Sequence, residues 1–325
     1  MLETRFTRLV GCTVPIQLAG MGSVITPELA AAVTGAGGLG MLGMAATPLA
    51  AQLDAVEALG AHPVGVNLLG PFFAPGDLEL AADRAPVVDL FWLTPDAGLV
   101  ERIHRGGALA SWQVGSVDEA KSAVDAGCDV VVAQGVEAGG HVRGTVPLLP
   151  LLTAVLDTVG DDVVVVASGG IGSGRSMAAA LAAGADAVRV GTRFVASTES
   201  RAHPDYKAAL VAAQVGDTVL NEEYGRETGW PDAPNRVLRS AFEEATASDG
   251  AVVGEEQLVG TAERVPIARF SVSPPTDACE GHIAAMAMYA GESAASIQQV
   301  QPAAAIVHEL ASGAEARLRA AQPQE

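Results

Sequence analysis

The run Gln134-Gly135-Val136-Glu137-Ala138-Gly139-Gly140-His141 ends a glycine-rich stretch on a histidine. An imidazole titrates near neutrality, so a histidine on such a loop can act as acid, base or hydrogen-bond donor. A solvent-exposed loop histidine is the plainer possibility. Gln134, at the root of the loop, carries an amide able to hydrogen-bond a planar heterocycle. Two more glycine runs read as anion-binding turns: Ser168-Gly169-Gly170-Ile171-Gly172-Ser173-Gly174, which opens a helix, and Gly191-Thr192-Arg193. Glycine lets the backbone approach a phosphate closely, and a helix N-terminus adds N–H groups and a positive dipole end. Either turn alone is weak evidence; together, at neighbouring strands, they make a phosphate cup. Asn67 closes an apolar run, which puts its amide at the same rim, although asparagine is also a common turn residue.

Other motifs fail on context. Gly35-Ala36-Gly37-Gly38-Leu39-Gly40 spells a dinucleotide fingerprint, but it ends a helix and precedes a strand, so it reads as a helix cap and turn. There is no G-x-x-x-x-G-K-[ST] phosphate loop and no G-x-S-x-G nucleophile elbow. Cys279-Glu280-Gly281-His282 is half a metal site with no second pair at ligand spacing. The cysteines Cys12, Cys128 and Cys279 are sparse and odd in number, which argues against a disulfide framework and fits a reducing, cytoplasmic setting. Arg189 sits inside an apolar strand, where alternation turns it toward the interior and demands a partner or an anionic ligand.

The elements that must position these residues alternate regularly. Apolar runs at Val14–Ala19, Leu39–Leu42, Val64–Asn67, Val87–Leu93, Ala108–Trp112, Asp129–Gln134, Val163–Ala167 and Ala187–Val190 alternate with helical stretches. The helices read as Pro27 onward behind the cap Thr26, then Thr47–Leu59, Asp77–Arg84, Asp96–His104, Ser116–Ala126, Pro147–Val159 and Ser173–Ala183. Strands that are apolar throughout, such as Val163-Val164-Val165-Val166, are buried on both faces, as in parallel sheets covered by helices. Repeated strand–helix units predict an α/β fold, a (β/α)8 TIM barrel, with the active site at the C-terminal strand ends and phosphate at the last two loops. Residues 1–205 read as the barrel. Residues 206–280, with prolines and an acidic stretch, read as an inserted, mainly helical lid, and 281–325 as C-terminal helices packing back on the barrel.

Composition narrows the function classes. The 325 residues are 49% hydrophobic and carry 38 acidic against 19 basic side chains, a formal charge of −19. Such a surface repels nucleic-acid backbones and anionic membranes, but leaves room for a small phosphorylated ligand held by backbone N–H groups. No apolar run reaches the ~20 residues of a membrane span. The chain is 4% aromatic, which suggests tight helix–sheet packing and not an aromatic-rich binding face.

Taken together, several segments resemble the nitronate monooxygenase family. They are Pro15-Ile16 through Met21, Thr26-Pro27-Glu28-Leu29-Ala30, Ala36-Gly37-Gly38-Leu39-Gly40, Val66-Asn67-Leu68, the Gln134–His141 loop, Ala167-Ser168-Gly169-Gly170-Ile171 and Gly191-Thr192-Arg193-Phe194. Glu199-Ser200 with His203 and Lys207, Gly229-Trp230-Pro231 and Ala290-Gly291-Glu292 extend the likeness over almost the whole chain. The resemblance implies non-covalent FMN, with its phosphate on Gly169, Gly170, Gly191 and Thr192 beside Ser168. The ring would lie over Ala19, Gly20 and Met21, with Asn67, Gln134, Gly139 and Gly140 around it, and His141 would face the substrate. The implied reaction oxidises an alkyl nitronate with O2 to a carbonyl compound and nitrite. One departure stands out. Family members commonly end the first strand in Gln-Ala-Pro-Met, whereas here it is Leu18-Ala19-Gly20-Met21 with Gln17 one place early. A one-residue offset switches strand faces, so Gln17 does not inherit that role. Flavin-dependent enoyl-thioester reductases and acyl-CoA dehydrogenases share these motifs. The same residues are also compatible with a non-redox barrel for a phosphorylated metabolite and with a catalytically dead flavin-binding protein. Monomer and homodimer both remain open.

Overall fold

The computed structural model describes residues 2–45, 47–227 and 229–321. The apolar runs become eight parallel strands: β1 (Ile16–Leu18), β2 (Gly40–Leu42), β3 (Val64–Leu69), β4 (Val87–Phe91), β5 (Leu109–Val114), β6 (Val130–Gln134), β7 (Val164–Ser168) and β8 (Ala187–Val190). Neighbours in sequence pair with one another, and β1 pairs with β8. A parallel bridge between Gln17 and Leu39 joins β1 to β2 and closes the TIM barrel; Leu18 N–H donates to Leu39 O at 2.9 Å and Leu39 N–H to Ile16 O at 2.8 Å. The valines of β6 and β7 are buried because helices cover the outside and side chains fill the inside. The side chains of Thr26, Asp96, Ser116 and Ser173 cap the following helices by accepting N–H bonds three residues on, which fixes where each strand-to-helix loop ends.

The barrel interior holds a polar layer. Register places Gln17 beside Arg189, Asn67 beside Asp89 and Asp89 beside Ser111. Arg189 Nη2 lies 2.7 Å from Asp89 Oδ1, Nη1 donates to Gln113 Oε1 at 2.5 Å, and Nε donates to Gln17 Oε1 at 3.2 Å. Ser111 Oγ and Asn67 Nδ2 each donate to Asp89 at 2.6 Å. Arg189 therefore points inward as strand alternation requires, and its partner is a carboxylate of the protein. Gln17 belongs to this layer beneath the rim.

The segment expected to be a mainly helical lid is corrected by the structure. It carries helices Pro204–Ala212 and Arg239–Ala247, but also strands Thr218–Asn221, Asn235–Leu238, Val252–Gln257, Arg264–Ala268 and Cys279–Gly281. These form two three-stranded antiparallel sheets, one of which takes Gly140–His141 as its third strand. These strands are short and rich in polar and charged residues, whether exposed as Val252–Gln257 or buried as Asn235–Leu238, so they carry little apolar periodicity. The lid has its own apolar core, including Tyr206, Tyr224, Val237, Ile267 and Met286. The stretch from His282 to Ala320 is also less helical than expected: two 3-10 turns precede a single helix, Ala303–Ala320. That helix packs on helix Gly174–Ala182, where a Cβ at Gly174 would stand 2.6 Å from the backbone of Gly313. Among the described residues no helix is long and apolar enough to cross a membrane.

Removing one member of a buried pair strands the other charge. Asp89→Ala should lower unfolding stability by about 3–5 kcal/mol in a urea titration. A loss under about 1 kcal/mol would mean that water solvates Arg189 well enough to make the pairing with Asp89 dispensable.

Candidate active site

A cavity of about 500 Å³ opens where the barrel strands end in their C-terminal loops. Its walls include Ala19, Gly20, Met21, Asn67, Gln134, Gly139, Gly140, His141, Ser168, Gly169, Gly170, Gly191 and Thr192. Every residue singled out from the sequence as a site residue thus reaches one cavity. Register explains the convergence on one side: Gln134, Ser168 and Arg189 are successive lateral neighbours across β6, β7 and β8.

The two glycine turns make a concave anion cradle. Gly169 and Gly170 have φ of +109° and +67°, conformations that side chains rarely adopt. Among the described residues, the N–H groups of Gly170, Gly191 and Thr192 have no protein acceptor. The helix that follows is less available than expected. Its first turn is closed by a Ser173–Ser176 capping box, and Ser176 Oγ also takes the N–H of Gly172 at 3.2 Å. The free donors therefore come from the glycines and from Thr192, whose hydroxyl is already an acceptor for Gly291 N–H at 3.0 Å. Gly20 answers the departure in the first strand. A Cβ there would lie 2.2 Å from Asn67 Oδ1, so only glycine lets the β1 loop and Asn67 approach this closely.

The histidine loop is gripped from several sides. Gln134 Nε2 donates to His141 O at 2.9 Å, and Gln134 Oε1 accepts from Arg143 N–H at 2.9 Å. Its amide thus holds the loop closed, where hydrogen bonding to a heterocycle was expected of it. Both carboxylate oxygens of Glu137 accept the N–H of Leu148, the first residue of helix Leu148–Val159. Arg236 reaches over from the lid to donate to Val136 O at 2.9 Å and to Glu292 at 2.8 Å. Gly139 packs so tightly on the Ala290-Gly291 backbone that a Cβ would stand 2.4 Å from Gly291 N.

This clamp sets His141 in an aromatic nest. Its ring stacks on Trp230 at 3.7 Å with planes 21° apart, and Tyr289 and Trp92 lie 5.6 and 5.9 Å away. Phe72 meets Trp230 edge-on at 5.0 Å. Arg143 covers Trp92 at 5.3 Å while pairing with Glu119, and Trp92 itself holds the left-handed φ of +62°. The low aromatic content therefore misled: the few aromatic residues converge on the cavity from distant loops. Trp230 was visible only as part of a family-like tripeptide, and Phe72, Trp92 and Tyr289 carried no local signal. His141 keeps some solvent contact, but its Nε2 is enclosed and bonds to no described residue. Burial pushes its pKa down to about 3, so the imidazole is neutral at ordinary pH.

The other candidates have structural roles. His104 pairs with Asp129 at 2.8 Å and His282 with Glu244 at 3.2 Å. Lys207 donates to the carbonyls of Ser197 and Ser200. Burial raises the thiol of Cys12 to about 11 and that of Cys128 to about 12, which suppresses the nucleophilic thiolate. Among the described residues no group of three or more His, Cys, Asp or Glu is placed to hold a metal ion.

Comparison with known proteins agrees with this geometry. A family model described as nitronate monooxygenase matches residues 3–84 and 76–313. A nitronate monooxygenase of Metarhizium robertsii is 35% identical over 94% of this chain and 92% of its own length. A 5-hydroxy-7a-methyl-1-oxo-octahydro-1H-indene-4-carboxyl-CoA dehydrogenase of Rhodococcus jostii is 36% identical over 74% of this chain; the match spans 66% of that relative. Among solved structures, FabK from Thermotoga maritima superposes with a TM-score of 0.78 at 32% identity, covering 98% of both chains.

The depressed histidine has a consequence for stability. Below the ordinary histidine pKa of 6.5 the unfolded chain takes up a proton that the folded chain refuses until about pH 3, so acid favours unfolding through this window. His141→Phe keeps a stacking ring but removes the titration. The wild type should lose up to about 2 kcal/mol more stability than His141→Phe between pH 7.5 and 5, measured by denaturant unfolding at each pH. Identical losses would mean that the imidazole protonates freely in the fold.

Proposed function

The chain belongs to the nitronate monooxygenase family, and on that premise we propose that this oxidoreductase binds FMN and uses O2 to convert alkyl nitronates to carbonyl compounds and nitrite. The observation that carries the proposal is the shared cavity: an anion cradle of free N–H groups and an enclosed imidazole, both lining one space. The cradle suits a phosphate dianion, because glycines at positive φ expose backbone donors that a Cβ would cover. Gly169, Gly170, Gly191 and Thr192 would hold the phosphate. Ala19, Gly20, Met21 and Asn67 would back the ring system, with Gly139 and Gly140 along its edge. Bound flavin would supply the electron acceptor and the centre that reacts with O2.

The protein's own part is binding and orientation. A nitronate arrives as an anion, so no proton need be removed from carbon. His141, neutral in the free enzyme, can donate a hydrogen bond to a nitronate oxygen through Nε2–H, in a pocket where water competes poorly. Trp230 fixes the ring plane by stacking, and the pairing of Gly140–His141 with the lid fixes the backbone. On this reading residues 1–205 hold the flavin, 206–280 wall the substrate side, and 281–325 brace both. Oxidoreduction of an acyl-CoA thioester is the second reading, favoured by the 36% identity to the Rhodococcus dehydrogenase.

The test is spectroscopic first. The purified protein should be yellow, release FMN on denaturation, and consume O2 while forming nitrite from alkyl nitronates. Bleaching by an acyl-CoA thioester with no nitrite formed from any nitronate would favour the second reading, and a colourless protein would remove both. His141→Ala should keep the colour and lower turnover about 10²-fold or more; unchanged turnover would take His141 out of the reaction. Gly170→Val, at φ +67°, should lose FMN on gel filtration, and full retention would place the phosphate elsewhere.

A further inference from the structure

The cavity wall says which substrates fit beyond the reacting group. At the histidine end it is built from rings: Trp230 stacked on His141, with Phe72 and Tyr289 beside them. The two phenols that line the cavity have turned their donors away. Tyr206 donates to Tyr289 O, and Tyr289 donates to Val272 O at 2.8 Å. They offer the cavity no free hydroxyl donor.

The charged groups on the wall are equally telling. The lining contains one guanidinium, Arg189, which is 2% exposed and already neutralised by Asp89 at 2.7 Å. It also contains one carboxylate, Glu256, on the lid strand Val252–Gln257. Glu256 accepts a hydrogen bond from Thr276 Oγ1 at 3.3 Å, and among the described residues no Lys, Arg or His pairs with it. The wall therefore carries one uncompensated negative charge and no free cation. A like charge brought into a partly dry cavity is repelled far more strongly than in water.

We propose that the substrate body is flat or chain-like, apolar and uncharged, packing on Trp230 and Phe72, and that Glu256 is a specificity residue rejecting substrates with a further negative charge. Carboxylate-bearing nitronates and phosphate-rich thioesters fall in the rejected class. The inference rests on the nitronate reading only for the identity of the reacting group; the binding preference follows from the wall alone.

The test uses two ligands of similar shape, 4-nitrotoluene and 4-nitrobenzoate, whose nitro-bearing ring carbon has no hydrogen to lose, so neither is an alkyl nitronate precursor. Equilibrium dialysis against the flavin-loaded protein should give at least about tenfold tighter binding of 4-nitrotoluene. Glu256→Gln should shrink that ratio to within about threefold, and Trp230→Ala should weaken 4-nitrotoluene by about tenfold. Equal affinities in the wild type, a preference for the benzoate, a ratio unmoved by Glu256→Gln, or binding of neither ligand overturns the proposal. Nitrite formation from alkyl nitronates is scored separately. Its absence beside an intact binding preference would defeat the nitronate reading and leave the selectivity standing.

Discussion

The site depends on one constraint: the glycine loop after β6 must be held as a strand of the lid sheet. Gly140 and His141 pair with Arg236 and Asn235, and Arg236 pins Val136 from above. Left free, a loop of this composition would sample many conformations, at an ordering cost of about 1–2 kcal/mol per residue. The clamp removes that freedom before any ligand arrives. Its glycines are therefore not hinges. Gly139 is small because the Ala290-Gly291 backbone lies against it, and Gly291 is small because Glu137 O and Gly139 N lie against it in turn. Close backbone approach at Gly139 and Gly291, and a φ of +74° at Gly140, explain why larger residues are excluded, with no appeal to mobility.

Beneath this clamp the barrel floor manages charge. A guanidinium enclosed in a barrel is costly unless neutralised and fully hydrogen-bonded. Asp89 neutralises Arg189, Gln113 and Gln17 accept from its Nη1 and Nε, and Nη2 is held by the ion pair alone; Asn67 and Ser111 complete the coordination of Asp89. Arg189 therefore brings little net positive charge to the cavity. An anionic cofactor would then rely on backbone N–H groups at the rim, which are fixed dipoles and need no counter-charge. The same floor holds Asn67 against Gly20, so the first-strand departure and the polar layer form one packing arrangement.

Much of this was legible in the sequence, for a physical reason. Barrel strands are apolar on both faces and caps are local, so β1–β8 and the capped helix starts announce themselves within a few residues. The rim residues follow at once, because a strand's C-terminal end is fixed by where its apolar run stops. What stayed hidden is non-local. The third strand of one lid sheet comes from the loop after β6, far away in sequence, and β5 runs on to Val114, beyond the Trp112 end expected for it, carrying Gln113 to Arg189. The aromatic nest gathers Phe72, Trp92, Trp230 and Tyr289 from separate loops. Gln134 was placed correctly, but which partner its amide would choose depended on the fold of the loop beyond it.

The neutral state of His141 links this architecture to the chemistry proposed for it. The same ring stacking and enclosure that orient the imidazole also strip it of water, which is why its pKa sits near 3. A group that holds a proton so weakly makes a poor base for a carbon acid, whose proton would have to be pulled off against a large free-energy difference. In the tautomer that carries its proton on Nε2 it can still donate a hydrogen bond, since Nε2 is enclosed and bonds to no described residue. A substrate that has already lost its proton in solution asks only for such a donor, whereas a neutral nitroalkane asks for a base. On the proposed reading, the enclosure of the histidine would favour the nitronate over its parent acid. This preference would arise from desolvation alone, with no residue dedicated to telling the two forms apart.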